Sequence, residues 1–239
     1  ERTLADRERV LGPDHPRTLA SRGNLALAYQ SAGRVDEAVP LFERTLADRE
    51  RVLGPDHPDT LTLRGDLALA YQSAGRLEQA INLLERTLAD RERVLGPDHP
   101  RTLASRGDLA LAYQSAGRLE QAINLLERTL TEALRVLGPD HPDTLTSRNN
   151  LAGAYRSAGR PDQTIPLLEQ NLADSERALG PSHPDTRLFR DNLADTYRAV
   201  GQSEDTKTLA PLSASTADLL ARTALPGLDD DDAREVSRI

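Results

Sequence analysis

Every histidine in this chain stands 42 residues after the one before it, at His15, His57, His99, His141 and His183, and each is followed by a proline. A fixed period of roughly 20–50 residues marks an array in which one supersecondary unit is stacked on copies of itself. Such a unit cannot bury its apolar face alone, so each copy completes the core of its neighbour. An array of this kind presents an extended surface in place of one deep pocket. Holding another molecule is therefore the expected task, more than transforming one.

Composition narrows the possibilities. The 239 residues include no Cys, Met or Trp. Without cysteine there is no disulfide, no thiol nucleophile and no Cys-ligated zinc. Hydrophobic residues make up 38% and aromatic residues 3%, so the core must come from Leu and Ala, which suit close helix packing. No run approaches the ~18 apolar residues of a spanning helix, and no signal-peptide pattern is visible in the charged stretch that opens the sequence. No membrane association is expected, and the cytoplasm is the expected location. The formal net charge is −8, half of it from Asp229 to Asp232. No basic stripe with interleaved aromatics occurs, which disfavours nucleic acid. Glu1 opens in mid-pattern, so the chain is expected to be a piece of a longer array. Lys207 is the only lysine among 30 basic residues, a bias that points to GC-rich coding and a bacterial source.

The repeat from His57 to Asp98 shows what each copy should be. Pro58 suits the first turn of a helix, where its missing N–H removes no bond, with His57 or Asp56 as cap. Leu61, Leu67, Ala68, Ala70 and Tyr71 then recur at helical spacing. Gly75 ends this helix A in the manner of a C-terminal glycine. Helix B runs from about Leu77 through Ala80, Ile81, Leu84, Leu88 and Val94 to Leu95, and Gly96-Pro97 stops it. The fold class is all-α, an α-solenoid of antiparallel helix pairs. Residues 1–14 read as the end of a truncated repeat, 15–182 as four 42-residue repeats and 183–224 as a degenerate fifth with a capping helix. Residues 225–239 read as an acidic flexible tail. Pro40 and Pro166 fall one turn into helix B, where each should remove a hydrogen bond and bend the helix slightly. The segments Glu43–Leu84 and Glu85–Leu126 differ at three positions, Asp59/Arg101, Thr62/Ala104 and Leu63/Ser105. Exposed sites do not demand such identity, so duplication of a coding segment is the simpler cause.

The motif Asn24-Leu25-Ala26-x-Ala28-Tyr29-x-x-Ala32-Gly33-Arg34, followed by Glu37-Ala38-x-x-Leu41-Phe42, resembles the tetratricopeptide repeat (TPR). The 42-residue period and the run Arg49-Glu50-x-Val52-Leu53-Gly54-Pro55-Asp56-His57-Pro58 are similar to the kinesin light chain type, over about Glu1 to Val200. That resemblance implies a right-handed superhelix whose helix A faces line a concave peptide-binding groove, with no enzymatic activity and no cofactor. It also implies which columns line the groove. Gly23, Gly65, Gly107, Asn149 and Asp191 form one. Asn24, Asp66, Asp108, Asn150 and Asn192 form the next. Leu27, Leu69, Leu111, Gly153 and Asp195 follow, then Gln30, Gln72, Gln114, Arg156 and Arg198. The tyrosines Tyr29, Tyr71, Tyr113, Tyr155 and Tyr197 match the family's core position.

Each column has a structural reading beside the functional one. The Asn/Asp column can bond a peptide backbone or satisfy neighbouring helices. Glycine inside a helix is unfavourable by roughly 0.5–1 kcal/mol relative to alanine, which a close approach by a ligand or a neighbouring backbone would explain, as would duplication of one tolerated glycine. Arg22, Arg64, Arg106, Arg148 and Arg190 can pair internally or cradle an anion. The histidines are expected to cap helices, because ligands to a metal must converge. Asp and Glu are expected on solvated helix faces. No phosphate loop and no catalytic triad is present.

The C-terminal half carries Asn149, Asn150, Gly153, Arg156 and Arg198 in place of the Gly, Asp, Leu and Gln of the middle repeats, so a single site is expected between the third and fifth repeats. The partner expected is a protein or peptide, with an acidic segment bearing an apolar anchor as one candidate and Leu225 to Asp232 of the tail as another. Two alternatives stay open: the sensing arm of a larger signal-transduction ATPase, and a structural array that self-associates through its ends.

Overall fold

The computed structural model describes residues 2–201, and the expected capping helix and acidic tail lie outside them. Among the described residues there are ten helices and no strand. The chain divides into two compact units, Glu1–Ala158 and Gly159–Ile239.

The first unit holds α1 (Arg2–Leu11), α2 (Pro16–Ser31), α3 (Val35–Val52), α4 (Pro58–Ser73), α5 (Leu77–Leu95), α6 (Pro100–Ser115), α7 (Leu119–Leu137) and α8 (Pro142–Ser157). Helices α2, α4, α6 and α8 are the A helices; α3, α5 and α7 are the B helices. Within this unit α2, α4 and α6 each pack on the helix that precedes them and on the B helix that follows, and α8 packs on α7. A helices of successive repeats also touch, α2 on α4, α4 on α6 and α6 on α8, so they form a continuous row. The second unit contributes α9 (Pro161–Leu179), packed on α10 (Pro184–Gly201).

Local chemistry sets each boundary. His57 is extended, and its Nδ1 accepts the N–H of Asp59 at 3.2 Å, while Pro58 occupies the first turn. The same cap recurs with Arg17 on His15, Arg101 on His99, Asp143 on His141 and Asp185 on His183. At the other end Gly75 adopts φ +72°. Its N–H bonds the Gln72 carbonyl at 2.9 Å, and the Arg76 N–H bonds that of Tyr71 at 2.8 Å. This is a Schellman closure, which a side chain at Gly75 would strain. The histidines thus cap helices, and among the described residues no group of His, Asp or Glu could hold a metal ion. Pro40 lies inside α3 and Pro166 inside α9, and both helices continue through them.

Small residues let the helices approach. Ala26 of α2, Ala38 of α3 and Ala70 of α4 are fully buried around Phe42, Val39, Leu63 and Leu67. Burying a Leu or Phe side chain contributes about 1.5–3 kcal/mol, and each repeat supplies several. Among the described residues no helix is long and apolar enough to cross a membrane.

Candidate functional site

The buried arginines sort themselves first. Arg22 is 1% exposed, yet its guanidinium meets Glu8 of α1 at 3.1 Å and Asp48 of α3 at 2.5 Å. Arg64 repeats this with Glu50 at 2.7 Å and Asp90 at 2.6 Å, and Arg106 with Glu92 at 2.7 Å and Glu132. One A-helix guanidinium therefore ties together the helices on either side. Burial alone would push the Asp48 and Asp90 carboxyls up, but hydrogen bonds from Arg51 and Arg22, and from Arg64 and Arg93, hold them below the usual carboxylate range. In the second unit Arg190 pairs with Glu176 at 2.7 Å. This corrects the view that the acids merely sit on solvated faces: many hold buried arginines, and Asp174 of the second unit is itself buried.

A second arginine column, which the sequence reading passes over, lies at Arg7, Arg49 and Arg91 of α1, α3 and α5. Its 42-residue spacing was the available signal. Arg49 Nη1 donates to the Asp59 carbonyl at 2.7 Å. Arg91 donates to Leu61 O at 3.1 Å, to Arg101 O at 3.3 Å and to Ser105 Oγ. The tyrosines are partly or fully buried, and the hydroxyls of Tyr71, Tyr113 and Tyr197 donate to Glu43, Glu85 and Glu169 at 2.7–2.9 Å. Burial and the adjacent Glu43 and Glu85 carboxylates push Tyr71 and Tyr113 up to about 12.

With these groups assigned to the scaffold, what remains on the A-helix face is the candidate site. Leu27, Leu69 and Leu111 are 39%, 46% and 46% exposed in one register of three successive repeats, whereas Leu61, Leu63 and Leu67 are buried. Asp66 and Asp108 precede those leucines by one turn and are half-buried. Among the described residues neither has a cation within ion-pair distance. Desolvation pushes both carboxyls up, while Arg49 and Arg91 oppose this through space for Asp66 and Arg91 alone for Asp108. One turn beyond the leucines, the Nε2 atoms of Gln72 and Gln114 are buried and have no hydrogen-bond partner.

The other expected residues lie on α2, α8 and α10. Asn24 is exposed on α2. Asn149, Asn150 and Gly153 are half-buried on α8, and Arg156 is exposed at its end. Asn192, Asp195 and Arg198 lie on α10 of the second unit, where Arg198 pairs with Asp195 at 2.5 Å. A side chain at Gly23 would meet Arg49 Nη2 at 3.3 Å and Leu63 Cδ1 at 3.4 Å, so a neighbour accounts for that glycine. At Gly65 and Gly153 nothing lies within 4 Å, and packing accounts for neither.

A tetratricopeptide repeat model matches residues 1–50, 22–93 and 67–131, and a second model of that description matches 144–185. The chain belongs to the tetratricopeptide repeat family. Such repeats are protein-interaction scaffolds that generally bind proteins or peptides, and the fold is generally non-catalytic. The kinesin light chain protein of Podosopora anserina with nearly identical TPR-like repeats is similar at 35% identity and TM-score 0.69, covering 87% of this chain and 98% of that one. A point variant of that protein is similar at 34% identity and TM-score 0.69, covering 87% and 97%. BtubC (BKLC) from P. vanneervenii shares the TPR fold at 20% identity and TM-score 0.68, covering 95% and 91%. No curated protein sequence matches the chain.

Proposed function

We propose that the chain is a non-enzymatic scaffold that holds an extended protein segment along the A-helix face of α2, α4, α6 and α8. The leucine column carries this reading. A lone exposed leucine is ordinary, but Leu27, Leu69 and Leu111 expose the same side chain at the same register in three successive repeats. A row of helices presenting such a column offers regularly spaced apolar contacts to a chain laid across it. Asn24, Asp66 and Asp108 border the column, and Asn149, Asn150, Gly153 and Arg156 continue the face on α8. Asn192, Asp195 and Arg198 form the corresponding face of α10 in the second unit.

The test begins with selection of binders from a displayed library of random peptides about 12 residues long. The selected peptides are then measured against Leu69→Ser/Leu111→Ser and against Arg44→Ser/Arg86→Ser, which alters exposed B-helix positions. We expect at least about a tenfold loss with the leucine pair, since each buried Leu contact is worth about 1.5 kcal/mol or more, and none with the arginine pair. Peptides insensitive to the leucine pair would refute the groove reading.

A further inference from the structure

The A-helix groove of the second and third repeats has a charge preference. We infer that it takes an extended protein segment carrying apolar and basic side chains, with Leu69 and Leu111 receiving the apolar ones and Asp66 and Asp108 pairing with Lys or Arg. This rests on the groove reading above and names the chemistry of its occupant.

The inference follows from which acids are already satisfied. Asp48, Asp90, Glu50 and Glu92 all accept hydrogen bonds from arginines of the scaffold. Asp66 and Asp108 do not. The nearest guanidiniums, Arg49 and Arg91, are held by main-chain carbonyls and by Ser105. They moderate the carboxylates through space without meeting them. Two half-buried carboxylates thus stand one turn from two exposed leucines, in matching positions of adjacent repeats, each lacking a direct counter-ion. An incoming ammonium or guanidinium would complete them in a partly desolvated setting, where a charge pair is worth more than on an open surface. An acidic side chain there would face like charge instead.

The glutamines extend the argument to the main chain. Gln72 and Gln114 each keep a buried Nε2 without an acceptor. Buried donors normally find one, and the carbonyl groups of a segment lying along the leucine column would supply it once the amide turned toward the groove. On α8 the same columns hold Asn150, Gly153 and Arg156, so the acid, the leucine and the glutamine are all replaced. The basic preference therefore belongs to α4 and α6 and ends before α8. An acidic segment, the partner the sequence suggests, is the competing occupant.

The experiment uses the whole chain and the random-peptide selection described above. We expect Lys and Arg to be enriched beside Leu, Ile or Phe among selected sequences. Binding of those peptides should weaken by about tenfold or more in Asp66→Asn/Asp108→Asn and fall as salt rises. Asparagine already stands in this column at Asn24 and Asn150, and circular dichroism melting would verify that the variant folds. Enrichment of Asp and Glu would overturn the inference. So would affinities that stay within about twofold in the asparagine variant while Leu69→Ser/Leu111→Ser abolishes binding, a result that leaves the groove reading standing. Selected peptides indifferent to the leucine pair would remove both.

Discussion

Arg64 Nη1 lies 2.6 Å from Asp90 Oδ2, closing a link between α4 and α5 across 26 residues of chain. Arg64 is buried, while Asp90 keeps 28% of its side chain in water. Removing one partner of a fully buried pair is destabilising by about 3–5 kcal/mol. The exposure of Asp90 and the second carboxylate, Glu50, reduce that. Asp90→Ala should therefore destabilise by about 1–2 kcal/mol. Arg64→Met removes the charge itself, and apolar replacement of a buried ion is often neutral, so it should be less harmful. Urea unfolding of both variants checks the order; a more damaging Arg64→Met would mean that the arginine stem dominates through packing.

The caps give an independent stability prediction. His57→Ala removes the acceptor for the Asp59 N–H and should lower stability by about 0.5–2 kcal/mol, while His57→Asn retains an acceptor and should lose less. Because the five imidazoles act as separate caps, added zinc should leave the melting midpoint where it was. A midpoint that rises with zinc would restore the metal reading.

How much of this was legible without coordinates depends on the range of each interaction. The His57-Pro58 start and the Gly75 stop are decided within a few residues, so the helix pairs could be read from the sequence. The partners of Arg64 lie 14 residues before and 26 after it. Which carboxylate it meets depends on how three helices stack, and the sequence left ion pairing and ligand binding both open. The candidate site is harder still. Asp66 and Asp90 are the same residue type on neighbouring helices, and only the stacking assigns Asp90 to an arginine and leaves Asp66 without one. Gly23 and Gly65 look alike in sequence, but only Gly23 has Arg49 and Leu63 against it.

That difference between the glycines is measurable. A methyl at Gly65 meets nothing within 4 Å, so Gly65→Ala should stabilise the chain by about 0.5–1 kcal/mol through helix propensity. Gly23→Ala must move Arg49 and Leu63 and should gain less or lose. Gly75→Ala, at φ +72°, should destabilise by about 1 kcal/mol or more. Thermal melts of the three variants give the order. If Gly65→Ala is stabler yet binds selected peptides more weakly, the ligand backbone passes close to that helix. Unchanged binding would leave duplication as the reason for the glycine.

The pH dependence divides the acids into two groups of opposite sign. Asp14, Asp48, Asp56 and Asp90 are held below the usual carboxylate range by their arginines. They contribute stability above the unfolded value of about 3.9, and it is lost as pH falls through their folded values. Asp66 and Asp108 are pushed up by desolvation. In the window between about 3.9 and their raised folded values the native state binds more protons than the unfolded chain, so stability falls as pH rises through it. Their ionised forms are thus a strain on the native state at neutral pH. Asp66→Asn/Asp108→Asn should raise the melting midpoint at pH 7 and flatten the profile just above pH 4, while leaving the steep loss at lower pH intact. Melts from pH 3 to pH 8 would read this directly. A lowered midpoint at pH 7 would mean that the two carboxylates stabilise the fold, and it would remove the reason to regard them as kept for a ligand. A stabler variant that has lost affinity for basic peptides would show that the groove holds two desolvated charges for binding at the expense of stability.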